Sequence, residues 1–148
     1  MLREHQQFHV GLKAFIADGE KLLILQDTEG TWELPGGRAE KAEAHKNLRE
    51  ILIREVTEEL GEEIKYDMGP VFHAWIRKPE GIGVAEIYAN SDLHIFLVGF
   101  RCVYKEGEVV FSKEHKDFKW ITKQEVDGFQ FENTYKDAIK YYFQNITK

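Results

Sequence analysis

The sequence predicts an α/β fold of the α+β kind, in which a mixed β-sheet is covered by helices. Three observations support this prediction: an alternating strand pattern at residues 8–16, a second strong one at 94–104, and two long stretches with helical periodicity. Strands interleaved with helices favour a sheet whose faces the helices cover. A chain of 148 residues suits a single domain, 1–148, that is large enough to bury a core.

The chain opens with a predicted β-hairpin. Apolar residues at 8–16 largely alternate with others, which is the period of a strand. Asp18-Gly19 is typical of a tight turn, and the apolar run 21–26 predicts the returning strand. The polar residues 27–31 then predict a loop.

A loop of defined shape follows at 32–37, with the sequence WELPGG. Pro35 favours an extended conformation in the residue before it, and Gly36 and Gly37 permit backbone angles that other residues avoid. From about Lys46 the pattern becomes helical and runs to Leu60. Gly61 is well placed to end that helix.

The second half of the chain predicts further strands and two more helices. Extended segments are expected at 64–66, 71–77, 94–104 and 118–121, with breaks at 68–70 and at the turn-rich residues 78–81. A brief helix is expected at 123–126 with Thr122 as its N-cap, and a C-terminal amphipathic helix at 135–146.

Composition narrows the class of function. The net charge of −6 argues against proteins that coat nucleic acids or membrane surfaces, because both rely on basic patches. An anionic substrate would be repelled unless bound metal ions reversed the local field. Cys102 is the one cysteine, which indicates a reducing compartment, and no apolar run is long enough to cross a bilayer. We therefore expect a cytoplasmic protein.

The central helix carries an unusual cluster of carboxylates. Glu55, Glu58 and Glu59 stand at i, i+3 and i+4, so they converge on one patch near the helix C-terminus. Like charges at these spacings cost roughly 0.2–0.5 kcal/mol per pair, and the helix dipole disfavours anions at that end. The cluster therefore predicts a bound cation, whereas the simpler reading is a solvated acidic face.

Helical angles separate these two readings. Glu55 and Glu59 fall within the arc of apolar residues that faces the protein, Glu58 lies just beyond its edge, and Glu50 lies on the far side. Two inward carboxylates are costly without a positive partner. Clustered carboxylates suit Mg²⁺, for which Mn²⁺ can substitute, and a main-chain carbonyl of the Gly36 loop can add a ligand.

Two arginines complete the chemistry expected of this region. Arg38 and Arg54 are positioned in sequence either to order the carboxylates or to contact a phosphate group. Divalent cations activate water, neutralise phosphate charge and stabilise an anionic leaving group. These parts fit the cleavage of a phosphate anhydride.

The motif Gly37-x5-Glu43 followed by Arg54-Glu55-Val56-x-Glu58-Glu59-x-Gly61 resembles the Nudix box of MutT-like hydrolases, and 32–37 resembles the usual lead-in. The resemblance implies the Nudix α/β/α sandwich, with a mixed sheet between helices. It also implies metal-dependent hydrolysis of a nucleoside diphosphate linked to another moiety, such as a nucleoside triphosphate, a dinucleoside polyphosphate or ADP-ribose.

The box departs from the usual pattern at two places. Ten residues rather than seven separate Glu43 from Arg54, a three-residue insertion, so Glu43 and Glu40 are both candidates for the partner of Arg54. Glu62 also stands where an aliphatic residue is usual, although Ile64 can supply that packing. The spacing of the three box glutamates is unaffected.

The resemblance also implies roles for individual residues. Glu55 and Glu59 would be metal ligands, and Glu58 would be a ligand or would hold Arg54. Glu114, in the loop before a late strand, is a candidate general base or extra ligand, with Glu55 as the rival base. The carbonyl of Gly36 would be a metal ligand. The substrate contacts would be Arg38, Gly37 and Trp32, and the structural positions of the motif would be Gly37, Glu43 and Gly61.

Other residue types carry weaker signals. The six histidines show no spacing typical of metal ligands, and we expect structural or surface roles for them. Cys102 is expected to be a buried thiol. The aromatic residues Trp32, Trp75, Phe72 and Tyr88 either stack on a nucleobase or belong to the core.

We carry three functional hypotheses. The leading one is a hydrolase of a small nucleotide, with no nucleic-acid or membrane partner, as a monomer or a homodimer. The second is a non-catalytic Nudix sensor that binds a nucleotide and regulates a partner. The third is an isomerase of a diphosphate substrate on the same fold.

Overall fold

The computed structural model describes residues 2–79 and 92–146. Its strands are β1 His9–Asp18, β2 Lys21–Asp27, β3 Trp32–Glu33, β4 Gly36–Arg38, β5 Lys65–Arg77, β6 Ile95–Glu106 and β7 His115–Ile121. Its α-helices are α1 Leu48–Leu60 and α2 Asn133–Asn145, and two short 3₁₀ helices span Lys41–Glu43 and Lys123–Gly128. Among the described residues, no helix has the length and apolar character needed to span a membrane. Tyr88 and the second half of the expected turn at 78–81 lie outside the described residues.

The described strands form one mixed sheet in the order β3-β2-β1-β6-β5, with β4 on β1 and β7 on β2. Strands β1 and β6 are parallel, and the other pairs are antiparallel. One edge of β1 changes partner along its length. Its first half pairs with β4, where Leu12 faces Gly37, and its end pairs with β2, where Ala17 faces Leu22. The sheet therefore forks beside the middle of β1.

Strand β1 is buried on both faces, because its own side chains pack in two separate cores, one on each face of the sheet. Leu12, Ala14 and Ile16 pack in the core beneath α1, while Phe15 packs in the core beneath α2. The two-residue period of a strand sends alternate side chains to opposite faces. Phe15 lies parallel to the ring of Tyr142, with ring centroids 5.4 Å apart. These two cores confirm a sheet sandwiched between helices.

Helix α1 has defined signals at both ends. Asn47 Oδ1 accepts a hydrogen bond from Arg49 N at 2.9 Å, which places the N-cap at Asn47 and starts the helix two residues after the expected Lys46. Gly61 ends it with φ of 86°, a value that favours glycine. The last carbonyls are not left bare, because Ser112 N donates to Glu59 O at 3.0 Å.

The second half differs from expectation mainly in its strand lengths. The segments expected at 64–66 and 71–77 form one strand, β5, because its register on β6 shifts between Met68 and Val71 and so accommodates the expected break as a bulge. Strand β7 starts at His115 rather than at 118. The brief helix after Thr122 is confirmed as a 3₁₀ helix, with Glu125 accepting the Thr122 N–H at 3.0 Å.

Candidate active site

Gly36 fixes the position of one box carboxylate. Its φ of 140° lies in a region that favours glycine, and a Cβ there would clash with the carbonyl oxygen of Leu12. The Gly36 N–H donates a 2.6 Å hydrogen bond to Glu59 Oε1. Because the side chain of Glu59 is only 6% exposed, this bond holds a buried carboxylate against the loop.

Gly37 makes room for the second box carboxylate. A Cβ at this position would clash with both oxygens of Glu55, so the carboxylate lies directly over the glycine Cα. Arg54 Nη2 donates to Glu55 Oε1 at 2.7 Å from the other side. Burial raises the pKa of Glu55 above its ordinary value, although Arg54 opposes the shift.

Arg54 organises the outer part of the site. Its Nε and Nη2 donate to the two oxygens of Glu43 at 2.6 and 2.7 Å, and its Nη1 lies 3.0 Å from both oxygens of Glu58. Glu43 is therefore the bidentate partner of Arg54. Glu40 instead donates its backbone N–H to Glu43 Oε1 at 2.9 Å. The hydrogen bonds from Arg54 hold the pKa of Glu43 below its usual range.

A second group of ionisable side chains lies deeper in the protein, where the sheet forks. His115 Nε2 is 3.4 Å from Glu33 Oε1 and 3.4 Å from Glu59 Oε2. Lys13 Nζ lies 3.6 Å from Glu33 Oε1 and donates to the carbonyl of Leu34 at 3.1 Å. We call Glu33, Glu59 and His115 the inner triad.

Charge within the inner triad is unevenly compensated. Burial raises the pKa of Glu59 to about 7, because Lys13 and the Gly36 N–H only partly offset the loss of solvent. Burial alone would also raise the pKa of Glu33, but Lys13 and His115 outweigh it and hold that pKa at about 2. One carboxylate is therefore matched to a cation, and the other is not.

The inner triad can hold a metal ion. One donor atom from each of its three residues lies within 4.8 Å of the other two. Two carboxylates and an imidazole are a donor set that divalent cations accept, and an added cation would supply the positive charge that Glu59 lacks. His115 Nδ1 is buried and has no hydrogen-bond partner among the described residues, so the neutral ring more cheaply keeps its proton on Nε2. Metal binding through Nε2 would displace that proton.

Comparison with known proteins decides the family. The model of the NUDIX domain matches residues 7–143. The chain belongs to the Nudix family. The recognition made from the box is thereby confirmed.

Two curated relatives and one solved structure illustrate the similarity. The chain is 31% identical over 109 residues to a MutT-like protein of Streptomyces ambofaciens, covering 74% of this chain and 59% of that protein. It is 31% identical over 101 residues to the nucleoside triphosphatase NudI of Enterobacter sp. (strain 638), covering 66% of each. The match therefore spans less than two thirds of either relative. The MutT protein of Methanosarcina mazei Go1 superposes with a TM-score of 0.67 at 22% identity over 99% of each chain, which confirms the fold.

The remaining predicted residues of the Nudix site lie in different surroundings. The side chain of Glu58 is 59% exposed and is engaged by Arg54. Glu114 is exposed, while the next residue, His115, points inward. Arg38 Nη1 lies 3.1 Å from His9 Nδ1. Trp32 is buried in the core beneath α2. The roles of these residues in metal or substrate binding stay predictions.

Sequence reasoning missed three residues of the inner site: Lys13, Glu33 and His115. Each comes from a separate strand of the Nudix fold, so no local spacing joins them. A signal did exist for Lys13, because the two-residue period places it on the same face of β1 as Phe15. The structure shows Lys13 to be 5% exposed. His115 stands one residue beyond Glu114, the predicted candidate in that loop.

Proposed function

We propose that the protein is a Mg²⁺-dependent pyrophosphohydrolase that cleaves a nucleoside diphosphate linked to another moiety. The observation that carries the proposal is the placement of Glu59. Its carboxylate is held by the Gly36 N–H at 2.6 Å and lies beside the carboxylate and imidazole of the inner triad. The buried carboxylate of Glu59, whose negative charge is only partly compensated, favours the binding of a divalent cation.

The chain's own residues would divide the work between holding and orienting. Glu59 would hold Mg²⁺ together with the main-chain carbonyl of Gly36. Glu55, kept in place by the 2.7 Å contact from Arg54, would be either a further ligand or the general base. When bound, Mg²⁺ supplies positive charge to the diphosphate and to the leaving group. Glu58, already paired with Arg54, would restrain that guanidinium rather than face the substrate.

Proton transfer needs a carboxylate with a raised pKa that lies near the reacting phosphorus. Glu55 meets the first condition, because burial raises its pKa. We therefore favour Glu55 as the base that accepts a proton from the attacking water. Glu114 is the rival, and its exposed position makes it a base only if substrate binding draws its loop inward.

The metal preference is itself testable. The ligands of the box are oxygens, which suit Mg²⁺, whereas the imidazole of His115 suits Mn²⁺ better. We propose that Mg²⁺ supports turnover and that Mn²⁺ replaces it. Calorimetric titration of each ion into the wild type and into Glu59→Gln measures both affinities, and identical affinities in the two proteins would contradict the assignment.

The name of one relative supports a first substrate class to test. NudI is named a nucleoside triphosphatase, and on this basis we propose nucleoside triphosphates as the first class to test. The decisive experiment incubates the full chain and Mg²⁺ with separate nucleoside triphosphates, dinucleoside polyphosphates, ADP-ribose and nucleotide sugars. Chromatography then identifies the products. Glu59→Gln is the negative control, since it keeps the shape of the side chain and removes its charge.

The result separates the proposed hydrolase from a sensor. Release of a nucleoside monophosphate and pyrophosphate from a triphosphate supports the proposal. Tight nucleotide binding with no turnover for any substrate in either metal would instead favour a regulatory binding protein. We further infer a cytoplasmic location, because Cys102 is a buried free thiol.

A further inference from the structure

A cavity lies on the α2 side of the sheet, away from the inner triad. It has a volume of about 410 Å³ and opens to solvent between the end of β1, strand β6, the start of the second 3₁₀ helix and the C-terminal end of α2. We call it the distal cavity. Its volume lies within the roughly 300–1,000 Å³ that is usual for small-molecule sites.

The distal cavity is separate from the candidate active site. Lys13 and Ala17 lie on the same strand, and four extended residues span about 13 Å. Tyr135, whose ring lies beneath Lys13, is seven residues from Tyr142 on α2, about 10 Å along the helix. A ligand in the distal cavity would therefore not contact the inner triad.

The inner wall of the distal cavity is apolar. Ala17, Phe143 and Ile146 line it and belong to, or pack against, the core beneath α2. Val103 lines the outer part and is 45% exposed. A ligand that buried a hydrocarbon body here would gain the usual free energy of removing apolar surface from water.

One polar group at this wall has no hydrogen-bond partner among the described residues. Tyr142 is 3% exposed as a residue, but its hydroxyl is not among the buried unpartnered atoms, so it is open to the solvent of the cavity. The ring is fixed by its stacking on Phe15, so the hydroxyl cannot turn away. Tyr142 and Arg101 line the same cavity. A hydroxyl that no protein group engages and that faces a cavity is available to a ligand atom.

The charged groups at the rim favour an anion. Arg101 and Lys123 line the distal cavity, and neither side chain makes an ion pair or hydrogen bond with another described residue. Glu20 is the one carboxylate among the lining residues, so cations outnumber anions there by one. The guanidinium of Arg101 and the phenol of Tyr142 line the same cavity and together offer several donors, which suits a carboxylate.

We propose that the distal cavity binds a small amphipathic carboxylate, with its acid group on Arg101 and the Tyr142 hydroxyl and its hydrocarbon body against the apolar wall. Lys123 adds a second cation at the rim. The site lies outside the Nudix box and does not depend on hydrolysis. It can therefore exist whether or not the proposed activity is correct.

The first test measures binding of two probes, octanoate and 1-naphthoate, to the full chain by calorimetry. We expect saturable binding with Kd of about 0.1–1 mM, the range of a modest single-site ligand. Octan-1-ol has a similar tail without the acid group and should bind at least about tenfold more weakly. Inorganic phosphate, which has charge without a tail, should also bind more weakly.

The second test uses variants with matched controls. Arg101→Gln should weaken octanoate binding at least about tenfold, because it removes a charged donor, and Tyr142→Phe should weaken it about three- to tenfold. Val103→Trp should block the opening from an exposed position. The controls are Lys105→Gln, on the same strand but paired with Asp67, and Tyr141→Phe, which stacks on His73 outside the distal cavity.

Three outcomes would overturn the proposal. The first is absence of binding by either acid at about 5 mM, well beyond the expected range. The second is unchanged affinity in folded Arg101→Gln and Val103→Trp, with folding checked by thermal unfolding. The third is displacement of octanoate by nucleotide and Mg²⁺ together with loss of its binding in Glu59→Gln, which would place the acid in the candidate active site. Binding that survives Glu59→Gln and is lost in Arg101→Gln supports the distal cavity.

Discussion

The outer network around Arg54 and the inner triad at the fork of the sheet treat charge in opposite ways. Arg54 contacts Glu43, Glu55 and Glu58 at 2.6 to 3.0 Å, so each carboxylate shares a cation. At the inner triad, neighbouring Lys13 pairs with Glu33, and Glu59 keeps a pKa of about 7. Every carboxylate of the outer network has a short contact with Arg54, although one guanidinium does not neutralise three carboxylates. Glu59 of the inner triad pairs with no Lys or Arg side chain of the described residues, so it gains more from an added cation.

The largest expected effect comes from removing the under-compensated carboxylate. We expect Glu59→Gln to lower kcat by about 10³-fold, within the range for losing an ionisable group at a reaction centre. The outer network should be intact, because no contact from Arg54 to Glu59 contributes to it. Steady-state kinetics at saturating Mg²⁺ measure the effect. Full activity in this variant would remove the distinction between the two regions.

The same residue gives a stability prediction for the metal-free protein. The pKa of Glu59 is about 7 in the folded chain and 4.5 ordinarily, so the folded state holds the proton over a pH range in which the unfolded state has released it. Stability from this group therefore falls as pH rises from 4.5 to 7 and stays low above 7. The full shift corresponds to roughly 3 kcal/mol.

Chemical denaturation with chelator present tests this prediction. Glu59→Gln lacks the titration and retains a carbonyl oxygen for the Gly36 N–H, so it should equal the wild type near pH 4 and exceed it above pH 7. His115 also contributes stability that is lost as pH rises through its raised pKa. Subtracting the Glu59→Gln profile from the wild-type profile reduces this contribution of His115. Added Mn²⁺ should close the gap at high pH. Parallel profiles without metal would show that Glu59 is adequately compensated.

The pairing of Arg54 with Glu43 should contribute to stability rather than to metal binding. Glu43→Gln removes the charge of the bidentate partner of Arg54, and we expect a loss of unfolding free energy that clearly exceeds that of a neighbouring control. Glu40→Gln is the matched control, because Glu40 lies exposed beside Glu43 and its side chain does not contact Arg54. Urea denaturation measures both. Equal losses in the two variants would mean that the Arg54–Glu43 pairing contributes little.

The difference between the regions also explains what the sequence could predict. The outer network is local, since Glu55 and Glu58 follow Arg54 on one helix, and helical spacing placed their side chains together. The choice between Glu40 and Glu43 was not predictable, because it depends on how the turn before Asn47 accommodates three additional residues. Strand β1, helix α2 and Thr122 followed from period and capping signals.

The meeting of the inner triad with Lys13 depends on the topology of the sheet instead. Lys13, Glu33 and His115 meet because β1 changes partner from β4 to β2 and because β7 pairs with β2. No pattern within one element reports such a meeting. The continuity of β5 was missed for a related reason, since a bulge preserves pairing across residues whose turn character predicts a break.

Metal affinity separates the inner triad from its neighbourhood. His115→Gln and Glu33→Gln should each weaken Mn²⁺ binding about 10- to 100-fold, the range for disturbing a metal site through a supporting or weak ligand. Arg54, which lies in the outer network, provides the comparison: Arg54→Gln should lower stability more than it changes Mn²⁺ affinity. Calorimetric titration and thermal unfolding of the same samples give both quantities. Equal Mn²⁺ affinity in wild type and His115→Gln would leave the ion to the box residues alone.

The smallest effect is expected one residue away from the inner triad. Glu114 is exposed, and its backbone N–H donates to Ser112 Oγ at 3.3 Å. Its side chain makes no hydrogen bond or ion pair with another described residue. We expect Glu114→Gln to lower kcat less than about tenfold, and Glu55→Gln to lower it about 10²- to 10⁴-fold as loss of a general base. A pH profile of kcat sharpens the contrast, because its acidic limb should disappear in Glu55→Gln and persist in Glu114→Gln. If the two variants exchange these behaviours, the loop before β7 closes over the substrate and supplies the base, and the compensated outer network serves only to position Arg54.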